Sequence, residues 1–148
     1  MNDLRVQAVD DDASIRDWKY VRNLIVSGDV LSLDEVRART GRNHMEVAYL
    51  GDVLIGCTAV RPPAKDNGTT ATVIARVLPE HRHRGIGTQL YERALGQARA
   101  LDPQVSETVV LASHPDGLRF AEQHGFVELE RYLLREGDTM PWIVLRLS

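Results

Sequence analysis

The chain has a single cysteine, Cys57, among 148 residues, so it forms no internal disulfide and offers no pair of thiols to zinc. The reducing cytoplasm is therefore the expected setting, and no metal is expected. No apolar run approaches the ~18 residues needed to cross a bilayer, and Met1-Asn2-Asp3-Leu4-Arg5 lacks the apolar core of a signal peptide. Neither a membrane span nor export is expected. Excess basic charge is missing too: 18 Lys and Arg against 21 Asp and Glu leave a formal net charge of −3. That excludes the broad basic face of a general nucleic-acid binder. Repeats and low-complexity tracts are absent. The length suits one domain, 1–148, large enough to bury a core without cross-links.

Leu4, Val6 and Ala8 alternate with Arg5, Gln7 and Val9 as in a short strand. Asp10-Asp11-Asp12 reads as a turn and helix cap, not as a metal site. From Ser14, Ile15, Trp18, Val21, Leu24 and Ile25 recur at helical spacing, which leaves Arg16, Asp17, Arg22 and Asn23 to water. Ser32-Leu33-Asp34-Glu35 has the capping-box spacing and predicts a short second helix ended by Gly41. Met45 to Leu50 and Val53 to Val60 read as a hairpin about Gly51-Asp52. The prolines and Asn-Gly of Arg61 to Gly68 break the ladder before a fourth strand, from Thr69 or Thr70 to Val77.

Downstream, Ile86, Leu90, Ala94, Leu95, Ala98 and Leu101 make the stripe of a long helix. Thr108 to Ala112 is a short strand, Asp116 a cap, Gly117 to His124 a helix, and Gly125 its left-handed stop. Phe126 to Leu134 and Trp142 to Leu147 are two last strands around Gly137-Asp138. The order β α α β β β α β α β β predicts an α/β sandwich with a mixed sheet.

Between the fourth strand and the long helix lies Val77-Leu78-Pro79-Glu80-His81-Arg82-His83-Arg84-Gly85-Ile86-Gly87-Thr88. Two glycines let the main chain approach a ligand closely, and the helix start aims unpaired N–H groups outward. With the helix dipole and the guanidinium groups of Arg82 and Arg84, these donors suit a phosphate or pyrophosphate. A P-loop is disfavoured, because no Lys-Ser/Thr follows the glycines.

Arg82-x-x-Gly85-x-Gly87 after Val77-x-Pro79-Glu80, with Phe120-Ala121-Glu122-Gln123-His124-Gly125-Phe126 downstream, resembles the GCN5-related N-acetyltransferases. The element order matches theirs over essentially the whole chain. The resemblance implies a mixed, mainly antiparallel sheet of six to seven strands with about four helices, splayed between strands four and five to admit acetyl-CoA. Carried over by position, the main chain of Ala75, Arg76 and Val77 pairs with the pantetheine arm, and Arg82, His83, Arg84, Gly85, Ile86, Gly87 and Thr88 hold the pyrophosphate. The implied activity is acetyl transfer from acetyl-CoA to a primary amine of a small molecule or peptide. The amine attacks directly, and the Val77 N–H steadies the oxyanion. The alternative is a degenerate acyl-CoA-binding sensor or interaction module that has lost turnover.

That alternative is motivated by three departures from the family pattern. Ala121 stands where many members carry a tyrosine acid. The stretches where a glutamate base often lies read Thr69, Thr70, Thr72 and Val109, Val110, Leu111. Ser113-His114 replaces a frequent asparagine. Glu46 and His114 are the candidate proton carriers, with His44 and Tyr132 behind them; imidazole suits exchange at neutral pH. Cys57, in an apolar run, reads as a small buried hydrophobe and not as a nucleophile. Dimers are common in the family, and Trp142 to Leu147 is the candidate exposed edge for a homodimer.

Overall fold

A computed structural model describes residues 4–26, 29–63, 69–82, 84–134 and 136–147. In chain order the elements are β1 (Leu4–Ala8), α1 (Asp12–Ile25), α2 (Leu33–Thr40), β2 (His44–Leu50), β3 (Val53–Arg61) and β4 (Thr70–Val77). They continue with α3 (Ile86–Arg99), β5 (Val105–Leu111), α4 (Pro115–Gln123), β6 (Phe126–Tyr132) and β7 (Trp142–Leu147). The seven strands form one sheet in the order β1-β2-β3-β4-β5-β7-β6. Every neighbouring pair is antiparallel except β4 and β5. Among the described residues no helix is long and apolar enough to cross a membrane.

Local chemistry sets the helix starts. The Asp11 carboxylate accepts from the Ser14 N–H at 2.8 Å while the Ser14 hydroxyl accepts from the Asp11 N–H at 3.1 Å, so the acidic triplet supplies a cap. Ser32 and Glu35 make the same reciprocal pair at α2. α1 and α2 cover one face of the sheet, where Ile15, Trp18, Val21 and Val36 pack on Val47 and Cys57. α3 and α4 cover the other, where Tyr91, Ala94, Leu95 and Ala121 meet Val73, Ile143 and Leu145. Trp18 also donates from its indole to the Thr58 carbonyl at 2.9 Å, which ties α1 to β3.

The structure corrects several local expectations. Arg22 is buried, not solvated, because it forms an ion pair with Asp29, and Leu24 is exposed instead. β5 begins at Val105, three residues before Thr108; Glu107 disguises it, being polar yet paired with Arg146 across β7. α4 starts at Pro115 with His114 at its N-cap, and Asp116 falls inside the first turn. Gly125 does take the left-handed conformation, at φ 91. β7 is not an edge: it lies between β5 and β6, with Trp142 buried, so β6 is the edge and Tyr132 on it is exposed. The Asn67-Gly68 turn and His83 lie outside the described residues.

The feature that matters for function is the parting of β4 from β5. They pair at Thr70, Ala71 and Thr72 with Val105, Ser106 and Glu107, and then separate. Leu78 donates to the Ile55 carbonyl, so in the antiparallel β3–β4 ladder the even-numbered residues of β4 turn their main chain toward β3. Ala75 and Val77 therefore turn theirs toward β5, where no strand answers them.

Candidate active site

Two sets of unsatisfied main-chain groups converge on this gap. Gly85 caps α3 in a left-handed conformation, φ 77, and no side chain caps the helix. The first turn closes with Gln89 donating to Gly85, so the N–H groups of Ile86, Gly87 and Thr88 have no acceptor within the helix. Gly87 is closely packed: a Cβ there would lie 3.3 Å from the Phe120 ring, which would have to give by a few tenths of an ångström, and would touch Val77 at 3.6 Å. Arg82 donates from Nε to the Val77 carbonyl at 3.0 Å, which fastens the loop to the end of β4.

These groups open onto a cleft of ≈ 460 Å³ that runs through the sheet. On the α3/α4 side it is walled by Gly85, Gly87, Thr88, Tyr91 and Phe120; on the α1/α2 side, by Ile25, Val26, Ile74, Val109 and Trp142. The first side presents donors suited to an anionic ligand and the second a mouth of apolar side chains with Arg76 among them. A two-substrate site needs this division, with one reactant entering from each face.

The family model for the GNAT acetyltransferases matches residues 13–126. The chain belongs to the GNAT acetyltransferase family. No curated protein matches its sequence closely enough to report. Among solved structures, the fold resembles a Salmonella typhimurium protein named as an acetyltransferase and solved with acetyl-CoA as its cofactor, at TM-score 0.75 and 17% identity over 99% of this chain and 94% of that one. An N-acetyltransferase of Staphylococcus aureus Mu50 superposes at TM-score 0.78 with 14% identity, covering 98% of each chain. A ribosomal-protein-alanine N-acetyltransferase of Brucella melitensis does so at 0.74 with 17% identity, over 96% and 98%.

In this GNAT chain the cleft is lined by Ala75, Arg76, Val77, Arg82, Gly85, Gly87, Thr88 and His114 from the candidate set. Arg84 is exposed outside it, and Ile86 turns its side chain into the core, leaving only its N–H for a ligand. Arg76 differs from its two neighbours. Its main chain faces Cys57 on β3, so the groups that face the gap are those of Ala75 and the N–H of Val77, whose carbonyl already accepts from Arg82.

Glu46 stands apart. It is 4% exposed, on the α3 side of the sheet and outside the cleft lining. Arg93 grips its carboxylate with two hydrogen bonds of 2.8 and 2.9 Å, and Gln97 adds a third at 3.0 Å. Burial by itself would raise this carboxyl's pKa, but the bonds from Arg93 and Gln97 outweigh it and hold the group below the usual carboxylate range. A carboxylate committed in this way is a poor general base, and His44, 3.5 Å from it, shares that location.

His114, half-buried at the α4 N-cap, makes no capping hydrogen bond and does line the cleft. Cys57 is 1% exposed, and burial pushes its thiol up to about 11, which leaves it a core residue. Two side chains escaped the sequence reading. Tyr91 lies one turn after Gly87 on the same face, buried with its hydroxyl unpartnered and pushed up to about 12 by burial. His124 joins Thr88 at 3.3 Å to the Phe120 carbonyl at 2.8 Å, bracing α3 against α4. The i, i+4 spacing of Gly87 and Tyr91 was the available signal.

Proposed function

We propose that this chain is an N-acetyltransferase that moves the acetyl group of acetyl-CoA to a primary amine of a small molecule or peptide by direct attack. The observation that carries the reading is the meeting, at one through-sheet cleft, of an uncapped α3 N-terminus with the unanswered main chain of Ala75 and Val77. The N–H groups of Ile86, Gly87 and Thr88 hold the pyrophosphate, with Arg82 alongside; Arg84 flanks the same turn. Ala75 and Val77 take the pantetheine amides as a strand takes its neighbour, with Arg76 between them fixing the strand to β3. The thioester supplies an activated acetyl group.

The Val77 N–H is the donor that steadies charge developing on the carbonyl oxygen. Holding amine and thioester in line replaces random encounter by a high effective concentration. His114 is the proton carrier this reading selects, because it reaches the cleft while Glu46 does not. How much it must do depends on the acceptor. A lysine-type amine costs roughly 4–5 kcal/mol to deprotonate at neutral pH, an α-amine about 1. A cytoplasmic location suits the unpaired Cys57.

Thiol release on mixing the protein with acetyl-CoA and a panel of primary amines is the test. Release above the hydrolytic background, lowered in a His114→Ala variant, is expected. Tight coenzyme A binding without thiol release for any amine would overturn the enzyme and leave the degenerate acyl-CoA-binding module.

A further inference from the structure

The acceptor side of the cleft carries an excess of positive charge that the transfer chemistry does not require. Strand alternation sends the Arg76 side chain to the α1/α2 face with Ile74, opposite Cys57. There it lines the main cleft and also a small adjoining hollow of ≈ 20 Å³. Arg39 from α2 and Arg61 from the end of β3 line the same hollow, with Asn43 beside them and Trp18 as an apolar wall.

Among the described residues, Arg39, Arg61 and Arg76 form no salt bridge. The carboxylate that bears on Arg39, Asp29, is already paired with Arg22 at 3.2 Å. Arg22 is 3% exposed and keeps its Nε without a partner. Burial and the charges of Arg22 and Arg39 push the Arg76 guanidinium down to about 10; burial, Arg22 and Arg61 push Arg39 down as well. Like charges crowded and partly desolvated in this way oppose folding. A partner of opposite sign removes that penalty, and guanidinium forks suit carboxylate or phosphonate oxygens.

The hollow has room for a water-sized group, so it takes one oxygen of an anionic head and not a whole acceptor. Ile74 and Arg76 are common to it and to the main cleft, so a molecule seated with its head in the hollow extends its body toward the β4–β5 gap. Val77, the proposed oxyanion donor, is the next residue after Arg76, so the hollow and the proposed reacting centre lie along the same strand. We propose that the acceptor is an amine that also bears an oxyanion, an aminocarboxylate or aminophosphonate, whose anionic head is held by Arg76, Arg39 and Arg61. This rests on the acetyl-transfer reading above and names its substrate class. The same positive wall disfavours the ammonium form of the acceptor, so the nucleophile enters neutral at less cost.

The test uses matched triples that share one carbon chain, with the amine at the α, β or γ position: the free amino acid, its carboxamide and the corresponding aminophosphonate. An oxyanion-bearing member should exceed the carboxamide in kcat/KM by about 30-fold, the factor that charge-assisted hydrogen bonds worth ~2 kcal/mol provide. Whether the carboxylate or the phosphonate leads identifies the head group. In Arg39→Gln/Arg61→Gln, and separately in Arg76→Lys, that preference should fall about tenfold, with the change in KM, as expected from loss of about one such bond. Carboxamides used as well as the acids, or a preference unchanged in the double variant, would overturn the proposal while leaving acetyl transfer intact.

A second readout needs no turnover: protection from heat, with coenzyme A present, by N-acetylamino acids against their amides. If no amine releases thiol, the transfer reading fails and this readout decides the oxyanion site. Protection by the acids that is lost in the double variant supports it, and equal protection by the amides overturns it.

Discussion

Replacing Glu46 with glutamine separates a structural from a catalytic role for that side chain. Glu46 is buried and takes three hydrogen bonds, two of them from the Arg93 guanidinium. Glutamine keeps one acceptor oxygen but turns an amide NH₂ toward a donor and removes the charge. Removing one partner of a fully buried ion pair costs about 3–5 kcal/mol. The Arg93 side chain is 48% exposed and can rehydrate, so the expected loss is smaller. Applied to these bonds, it is about 2 kcal/mol, which lowers the melting temperature by about 4–8 °C in a chain of this size.

Acetyl transfer at saturating substrates should stay within about twofold, whereas loss of a general base costs about 10²–10⁴ in rate. The pH dependence has a definite sign. The Glu46 carboxyl is held below its usual value of 4.5. Its extra stabilisation is complete above that value and is lost as pH falls through the lower, folded value. The glutamine variant should therefore lack this part of the acid limb of a stability-against-pH curve. A hundredfold fall in kcat with an unchanged melting temperature would refute the reasoning and return Glu46 to the chemistry.

Gly56→Ala places a Cβ 2.5 Å from the Arg76 carbonyl oxygen and 3.1 Å from Leu90. The β3–β4 pair must open where it positions Val77, so urea unfolding should show a loss of about 1–3 kcal/mol; a variant as stable as its parent would contradict the close approach. Cys57 should resist thiol reagents in the native protein and react only as fast as the chain unfolds, given its burial and raised pKa. Labelling on mixing would show that the thiol reaches solvent.

Much of the fold was legible because its signals are local. The cap within Asp10-Asp11-Asp12, the capping box at Ser32, the left-handed glycine at 125 and the turn at Gly51 each act over four residues or fewer, so spacing alone identifies them. The anion cradle was legible for the same reason: helix start, glycines and arginines are contiguous. Arg22 was misread, and the surroundings of Glu46 were not legible, because their partners are distant or out of pattern. An arginine inside a buried stripe is intelligible only once Asp29 folds back on it, and Glu46 only once Arg93 arrives from α3. β7 was misread as an edge because strand order across a sheet is not written in the order along the chain.

By itself, the sequence determined the elements, their caps and turns, and the glycine-bearing helix start proposed to hold an anion, since these follow from torsional preference and hydrogen bonding between near neighbours. Only the tertiary structure decided which main-chain groups are free. The separation of β4 from β5 after Thr72, together with the phase of the β3–β4 ladder, leaves Ala75 and Val77 unanswered and spends the main chain of Arg76 on β3. It also decided the charge of the acceptor side, by bringing Arg39, Arg61 and Arg76 from three elements to one hollow. Electrostatic fields add through space and not along the chain, which is why a protein of net charge −3 gathers three arginines where the proposed acceptor enters.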